Sequence, residues 1–473
     1  MTIAVSHRVP GLPPGSPDLE RRNPAAPDDL VSTAPIGDPG VVGEAVDAAA
    51  VAQPAWAAAG GSARAAVLAR AAEVLRSRED SVALLVTREE GKTINEAFAE
   101  VRRTVDILQF GAALAMAPVG EHLESATIGT RVVTQRVPLG VIAAITPWNV
   151  PLAIPAWKVA PALAAGNAVV LAPSVLTPAV ADVLAEVLSL AGLPEGVLTV
   201  VYGGASVAAP LCAHVGVAAV TFTGSVATGA LVRAAVTGRG ARLQMEMGGK
   251  NAVLVSDDAD PTVAARIIAA GAFGLTGQAC TATSRVVGSP AVLDRVAEAL
   301  RAEVDRYQPG DGRNPDVPMG PAVDPAQHRK DLDYAETVVV DGGEVIASVE
   351  DRGGCFVTPG IVRAPRGARV SREEVFGPLV TVLEAENLDE AIEIMNDTPY
   401  GLSAGVVSHD ARVIAAVTSR VEAGVIKVNR PTSGIDVHVP FGGIKASSYG
   451  GFREQGWRAT DFSTRETSIY IGE

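Results

Sequence analysis

The chain has 473 residues, 48% of them apolar, with a formal net charge of −14. That is length for two or three domains at roughly 100–200 residues each, and a charge that excludes nucleic acid or an anionic membrane as partner. Three cysteines (Cys212, Cys280, Cys355) and six histidines show no CxxC and no metal-ligand spacing, so free thiols, a reducing cytoplasmic compartment and no metal are expected.

Residues 1–38, with a Pro-rich stretch at Val9–Gly15, read as an extended arm with turns and carry no apolar leader. Residues 41–59 and 62–78 are Ala-rich and helical in pattern, and 80–116 continues as helix. Thr127–Val137 is β-rich and polar between Gly120 and Pro138, as in a projecting hairpin. From Gly140 an alternation begins. Strands are expected at Val141–Ile145, Ala168–Leu171, Leu198–Val201, Ala218–Phe222 and Arg242–Met245, with helices at 151–165, 178–191, after 201, and at 225–236. The apolar stretch 159–171 is broken by Pro161, Gly166 and Asn167 and is too short to span a bilayer. Past a candidate hinge at Gly248–Lys250 the alternation resumes with strand Ala252–Val255, helix 261–272, strand Arg285–Gly288 and helix 290–305. Short apolar strands between helices imply parallel βαβ units buried on both faces. The tail, Ala459–Ile471, is strand-like and is expected to pair with the 120–138 hairpin, across a subunit interface.

Four local sequences carry chemistry. Thr146-Pro147-Trp148-Asn149 ends a strand. Asn149 there either donates to an oxyanion or braces a turn. Phe222-Thr223-Gly224-Ser225 leads from a strand into a helix whose free N–H groups suit a pyrophosphate, with a capped, closely packed helix as the plainer reading. Glu246, before two glycines, is either a general base or a solvated strand-end carboxylate. Cys280 has small neighbours, Gly277, Ala279 and Thr281. It is either an inert buried thiol or a nucleophile whose pKa a nearby helix start would lower.

Taken together, and in this order, these segments resemble the aldehyde dehydrogenase superfamily over roughly residues 20–473. Glu373-Glu374-Val375-Phe376-Gly377-Pro378, Asn396–Ser403 and Pro440–Lys445 extend the match. The resemblance implies an α/β fold with a Rossmann-like cofactor-binding domain (1–119 and 139–247), an α/β catalytic domain (248–445) and a small β oligomerisation region (120–138 and 446–473) in a homodimer or homotetramer. It implies that Cys280 is the nucleophile and Glu246 the base for hydrolytic water, with Asn149 and the Cys280 N–H as oxyanion donors. Thr146, Pro147, Trp148, Lys158, Ser174, Gly224, Ser225, Glu374 and Phe376 would contact NAD or NADP. The implied reaction is oxidation of a small-molecule aldehyde to an acid through a cysteine thiohemiacetal and a thioester.

The chain departs from that pattern in two places. Ala172 stands where the family usually has Lys, and Val175 where NAD-preferring members have Glu, so a weak or relaxed cofactor preference is expected. Near the substrate, Cys280–Arg285, Ile154–Pro161, Pro431–Pro440 and Arg453–Gly456 look like the branch that oxidises 2-oxoglutarate semialdehyde, whereas Arg430 and Val437 replace apolar and aromatic residues. Arg430 is a candidate partner for an anionic substrate group and Arg285 a weaker, more structural one. The alternatives are a dehydrogenase of a specialised aliphatic or aromatic aldehyde, a CoA-acylating enzyme, which Glu246 argues against, and a non-catalytic scaffold.

Overall fold

The computed structural model describes residues 2–472. Strands Val141–Ile145, Ala168–Ala172, Leu198–Val200, Ala219–Thr223 and Arg242–Glu246 alternate with helices Ala153–Ala164, Pro178–Leu190, Ala205–Ala213 and Val226–Thr237, as the pattern predicts. The five strands run parallel, and Ser448–Tyr449 adds a sixth, antiparallel, outside Arg242–Glu246. Successive side chains of Val141–Ile145 enter opposite cores. Ile142 and Ala144 join Trp56, Leu68 and Leu108 on one face; Val141, Ala143 and Ile145 join Val42, Val170 and Phe222 on the other. This is why no polar alternation shows in these strands.

Strand order fixes where a ligand can enter. From Val141–Ile145 the chain adds strands outward to Leu198–Val200, then returns to add Ala219–Thr223 on the opposite side. The reversal leaves a crevice at the carboxyl ends of Val141–Ile145 and Ala219–Thr223, the usual binding place in open α/β sheets.

A second sheet has seven strands in the order Glu344–Ala347, Gly360–Arg363, Leu379–Glu384, Thr283–Gly288, Asn251–Val255, Ser403–Val407, Val425–Val428, parallel except for Glu344–Ala347. Only Met247–Lys250 separates the carboxyl end of Arg242–Glu246 from the amino end of Asn251–Val255. The first sheet therefore delivers its carboxyl-end turns to the amino-end turns of the second.

Three expectations change. Residues 1–38 are not an extended arm: Ile3–Ala4, Leu19–Asn23 and Ala26–Ala34 form a three-stranded sheet, and buried Arg21 donates to the carbonyls of Glu89 (2.8 Å) and Val323 (2.7 Å). Residues 80–116 form two helices, Glu79–Glu90 and Ile94–Ala115. Gly91, at φ 108°, ends the first, and Thr93 opens the second in a capping box with Glu96. In the tail, Ala459–Ser463 is helical and Thr464–Ile471 pairs antiparallel with Arg131–Pro138 of the same chain, with His122–Leu123 as the third strand. Among the described residues no helix is long and apolar enough to cross a membrane.

Arg285 belongs to this framework and not to a substrate mouth. It is buried, and its guanidinium donates to the carbonyls of Lys250 (2.9 Å), Ile394 (2.8 Å) and Met395 (2.8 Å). Arg285→Met strands these carbonyls at a cost of about 1–3 kcal/mol for each buried group left without a partner. The expected outcome is a lower thermal midpoint with the folded structure otherwise retained; an unchanged midpoint contradicts a framework role for Arg285.

Candidate active site

Each strand ending at the crevice contributes a turn. Thr146, Pro147 and Trp148 follow Val141–Ile145, Ser174 follows Ala168–Ala172, and Gly224 and Ser225 follow Ala219–Thr223. Ser225 caps helix Val226–Thr237, its hydroxyl accepting from the Thr228 N–H at 3.2 Å. The hydroxyls of Thr146 and Thr223 are buried without a partner at these strand ends. From the second sheet, Glu374 and Phe376 reach the same junction. Phe376 meets Trp148 edge to face at 5.5 Å between ring centres, and Glu374 accepts from the Gly249 N–H at 2.9 Å. A Cβ at Gly248 would strike the Glu374 carboxylate. Unpartnered hydroxyls, a capped helix start and a carboxylate cradled by glycines make a donor and acceptor set that fits the phosphates and ribose hydroxyls of a dinucleotide. At the expected ribose-discriminating positions, Ala172 is buried and Val175 packs toward Gly204, without any charge.

Lys158 is not part of that crevice. Its side chain is 1% exposed and its ammonium pairs with Glu454 and donates to the Thr221 hydroxyl at 2.8 Å. Helix Ala153–Ala164 is buried along its whole length, so its lysine must find its counter-charge inside the protein.

The Cys280 loop is shaped by left-handed backbone at Leu275 (φ 52°), Thr276 (φ 56°) and Gly277 (φ 67°). Gly277 permits this turn and lies against the Gly377 carbonyl, which a Cβ would strike. Asn149 donates its amide to the Gln278 carbonyl at 2.9 Å, and Asn251 donates to the carbonyls of Cys280 (2.9 Å) and Ala282 (2.8 Å). Asn149 is thus bound to the cysteine loop and does more than brace its own turn. No helix starts at Cys280; the chain enters strand Thr283–Gly288. The expected lowering of the thiol pKa is therefore overturned. Burial, then Glu374, Glu246 and Glu454, push it up to about 12. The residue keeps partial exposure.

Glu246 is 2% exposed, not a solvated strand end. It accepts from the Gly443 N–H (3.0 Å) and the Ser448 hydroxyl (2.9 Å), and burial followed by the charge of Glu454 raises its pKa to about 8. Glu454, to which sequence reasoning gave no role, keeps one buried oxygen without a partner beside this pair.

Arg430 is exposed. Two residues on, Thr432 is buried and donates to the Thr281 carbonyl at 2.7 Å, so Arg430 lies near the cysteine loop in sequence but stays in solvent. A second arginine was not singled out by sequence. Arg103, on helix Ile94–Ala115, lies 5.8 Å from the centre of the Trp157 ring and donates to the Ile435 carbonyl and to Gln455 Oε1. No carboxylate among the described residues forms an ion pair with it, and burial lowers its pKa. Trp157 and Gln455, both buried, keep Nε1 and Nε2 without partners. They line one small cavity with Val437.

Fold and site define a class: an α/β protein that places a thiol where a dinucleotide-type crevice meets a second sheet. A family model described as "Aldehyde dehydrogenase family" matches residues 13–469. The chain belongs to the aldehyde dehydrogenase family. It is 42% identical over 460 residues to "2,5-dioxopentanoate dehydrogenase" of Saccharolobus solfataricus, covering 95% of each chain. It is 41% identical over 462 residues to "Alpha-ketoglutarate semialdehyde dehydrogenase" of Haloferax volcanii, again covering 95% of each. Among solved structures, the NAD-dependent aldehyde dehydrogenase from Sinorhizobium meliloti superposes with a TM-score of 0.95 at 29% identity, over 99% of this chain and 95% of that one.

A carboxyl with its pKa near 8 is mostly protonated below that pH, so any step in which Glu246 takes a proton accelerates as pH rises through about 8. The kcat profile is expected to show a rising limb there that Glu246→Gln removes; a limb of unchanged position in the variant assigns the titration to another group.

Proposed function

We propose that the chain oxidises an acidic semialdehyde to the corresponding carboxylic acid, with Cys280 as nucleophile, Asn149 and the Cys280 N–H as oxyanion donors, and Glu246 as base. The observation that carries this reading is the Asn149 amide bonded to the cysteine loop while the buried Glu246 carboxyl sits close enough to shift the Cys280 thiol. The Cys280 thiol gives its proton to Glu246, which passes it to solvent; the sulfur adds to the aldehyde carbon, and the alkoxide falls to the two N–H donors, the loss of one of which typically slows a reaction about 10²–10³-fold. Bound NAD or NADP supplies the hydride acceptor. Hydride loss from the tetrahedral carbon leaves a thioester on Cys280. Glu246 takes a proton from water, the oxygen attacks the thioester carbon, and the C–S bond breaks to release acid and thiolate.

Thr146, Pro147, Trp148, Ser174, Gly224 and Ser225 would hold the cofactor from the first sheet and Glu374 and Phe376 from the second. With Ala172 and Val175 the site neither repels a 2′-phosphate nor pairs with it, and charge-assisted hydrogen bonds of roughly 1.5–3 kcal/mol are forgone for both cofactors. NAD and NADP are expected to bind within about tenfold of each other, and Val175→Glu to favour NAD by at least about tenfold. Strong discrimination by the unaltered enzyme contradicts this. Residues 1–119 with 139–247 make the cofactor domain in this reading and 248–445 the catalytic domain; 120–138 with 446–473 joins subunits of a homodimer or homotetramer in the cytoplasm.

Two observations favour an acidic substrate. The relatives named above act on a semialdehyde that carries a carboxylate. Arg103 offers a half-buried guanidinium that makes no direct ion pair among the described residues and feels Asp436, Asp106 and Glu100 only through their charges, beside two unused N–H donors. An exposed Arg430 is screened by water and is worth less. Arg103→Met is expected to raise KM for acidic semialdehydes by about 10–100-fold, with KM for a neutral aliphatic aldehyde little changed. Equal rises for both substrates contradict a carboxylate contact, and a larger selective effect from Arg430→Ala moves the contact to that residue.

A further inference from the structure

The oxyanion donor and the nucleophile belong to different sheets, and a third element ties them together. Asn149 lies on the turn after Val141–Ile145, whereas Cys280 precedes Thr283–Gly288. The start of helix Ile94–Ala115 touches both. Lys92 is 1% exposed, and its ammonium donates to Glu100 at 2.6 Å and to the Asn149 carbonyl at 2.8 Å. The other Glu100 oxygen accepts from the N–H groups of Leu152 (2.8 Å) and Ala153 (3.2 Å). Helix Ala153–Ala164 has no side-chain cap of its own, so Glu100 supplies one from a neighbouring helix and pins the far end of the Asn149 turn. One turn earlier on the same face, Glu96 splits its carboxylate. One oxygen accepts from Thr93 and closes the capping box; the other accepts from the Leu275 N–H at 2.6 Å, at the left-handed entry to the Cys280 loop.

We propose that Lys92, Glu96 and Glu100 are positioning residues for the reaction: they bracket the Asn149 turn and the Cys280 loop and so set the place of the oxyanion donor relative to the sulfur. The arrangement is poorly explained as a source of stability. A buried ion pair such as Lys92–Glu100 returns little net free energy after desolvation. Here each of its members also holds backbone of a single catalytic turn. Burial pulls the Lys92 pKa down, but Glu100 and Glu90 outweigh it and the net shift is upward, which keeps the ammonium charged and donating. Precision at this point matters, since a misplacement of about 1 Å between reacting groups can cost about 10²-fold in rate.

This inference rests on Asn149 as an oxyanion donor, which Asn149→Ala tests alone by its loss of kcat. The bracket is tested by a double-mutant cycle with Lys92→Met. The expected result is a fall in kcat of about tenfold or more, with KM for cofactor and aldehyde within about twofold. In the Asn149→Ala background the same substitution should lower kcat by less than about twofold, because the donor it positions is gone. Equal losses in both backgrounds overturn the proposal and leave Lys92 a structural residue. Should Lys92→Met fail to fold with Glu100 left bare, the pair Lys92→Met with Glu100→Gln, which removes both charges, is put through the same cycle and read in the same way. Glu96→Ala should also lower kcat, and Glu96→Gln, which keeps the acceptor for Leu275, should restore it; no recovery counts against the bracket.

Discussion

Three carboxylates around one sulfur, Glu246 and Glu454 buried and Glu374 half-buried, set the terms for the candidate site. Glu246, Glu374 and Glu454 all raise the pKa of the Cys280 thiol, and Glu454 raises that of Glu246. Like charges in a dry interior cannot all ionise together. Lys158 offsets part of this charge through Glu454, and the Gly249 and Gly443 N–H groups offset part at Glu374 and Glu246. The raised pKa of the thiol and that of the Glu246 carboxyl thus arise in one shared field.

The fold makes that crowding unavoidable. A parallel sheet brings its connecting turns to its strand ends, and two such sheets are joined here through a four-residue connection, Met247–Lys250. Carboxyl-end turns of the first sheet carry Asn149, Ser225 and Glu246; amino-end turns of the second carry Cys280, Glu374 and Phe376. Neither sheet holds the whole constellation. Its alignment depends on bonds that cross the junction, such as Asn149 to Gln278, Gly443 to Glu246 and Glu96 to Leu275. The glycines at 248, 249 and 277 are where backbones or carboxylates come closest, as a Cβ at any of them would collide.

Much of this was legible in the chain. The strands of the first sheet show as uninterrupted apolar runs because both faces are buried, and the local motifs survive translation into structure because each is a turn at a strand end. What failed were readings that needed a partner distant in sequence. Proline in residues 9–15 suggested a loose arm, but Arg21 is fixed by a carbonyl at 323. The thiol was expected to be acidic from a nearby helix start, whereas burial, and after it carboxylates 34, 94 and 174 positions away, raise its pKa. Two misses were avoidable. Gly91 followed by Thr93 and Glu96 is a helix stop and a capping box in plain sequence. Lys158 within an otherwise apolar helix signals an internal ion pair sooner than a ribose contact.

The two arginines of the substrate question turn on the same physics. Arg430 attracted notice because it departs from the family pattern, yet a guanidinium in water gives up most of its attraction to the solvent. Arg103 sits in a helix where a sequence shows only one more charged residue among Arg102, Arg103 and Asp106. Burial changes its meaning: a half-buried cation with hydrogen bonds only to neutral acceptors carries a desolvation cost that the charges of Asp436, Asp106 and Glu100 offset only in part. An anionic ligand recovers it. In the proposed reading the carboxylate beyond the aldehyde meets Arg103 on Ile94–Ala115, the helix that also carries Glu96 and Glu100. Recognition of the far end of the substrate and alignment of the reacting end then share one rigid element.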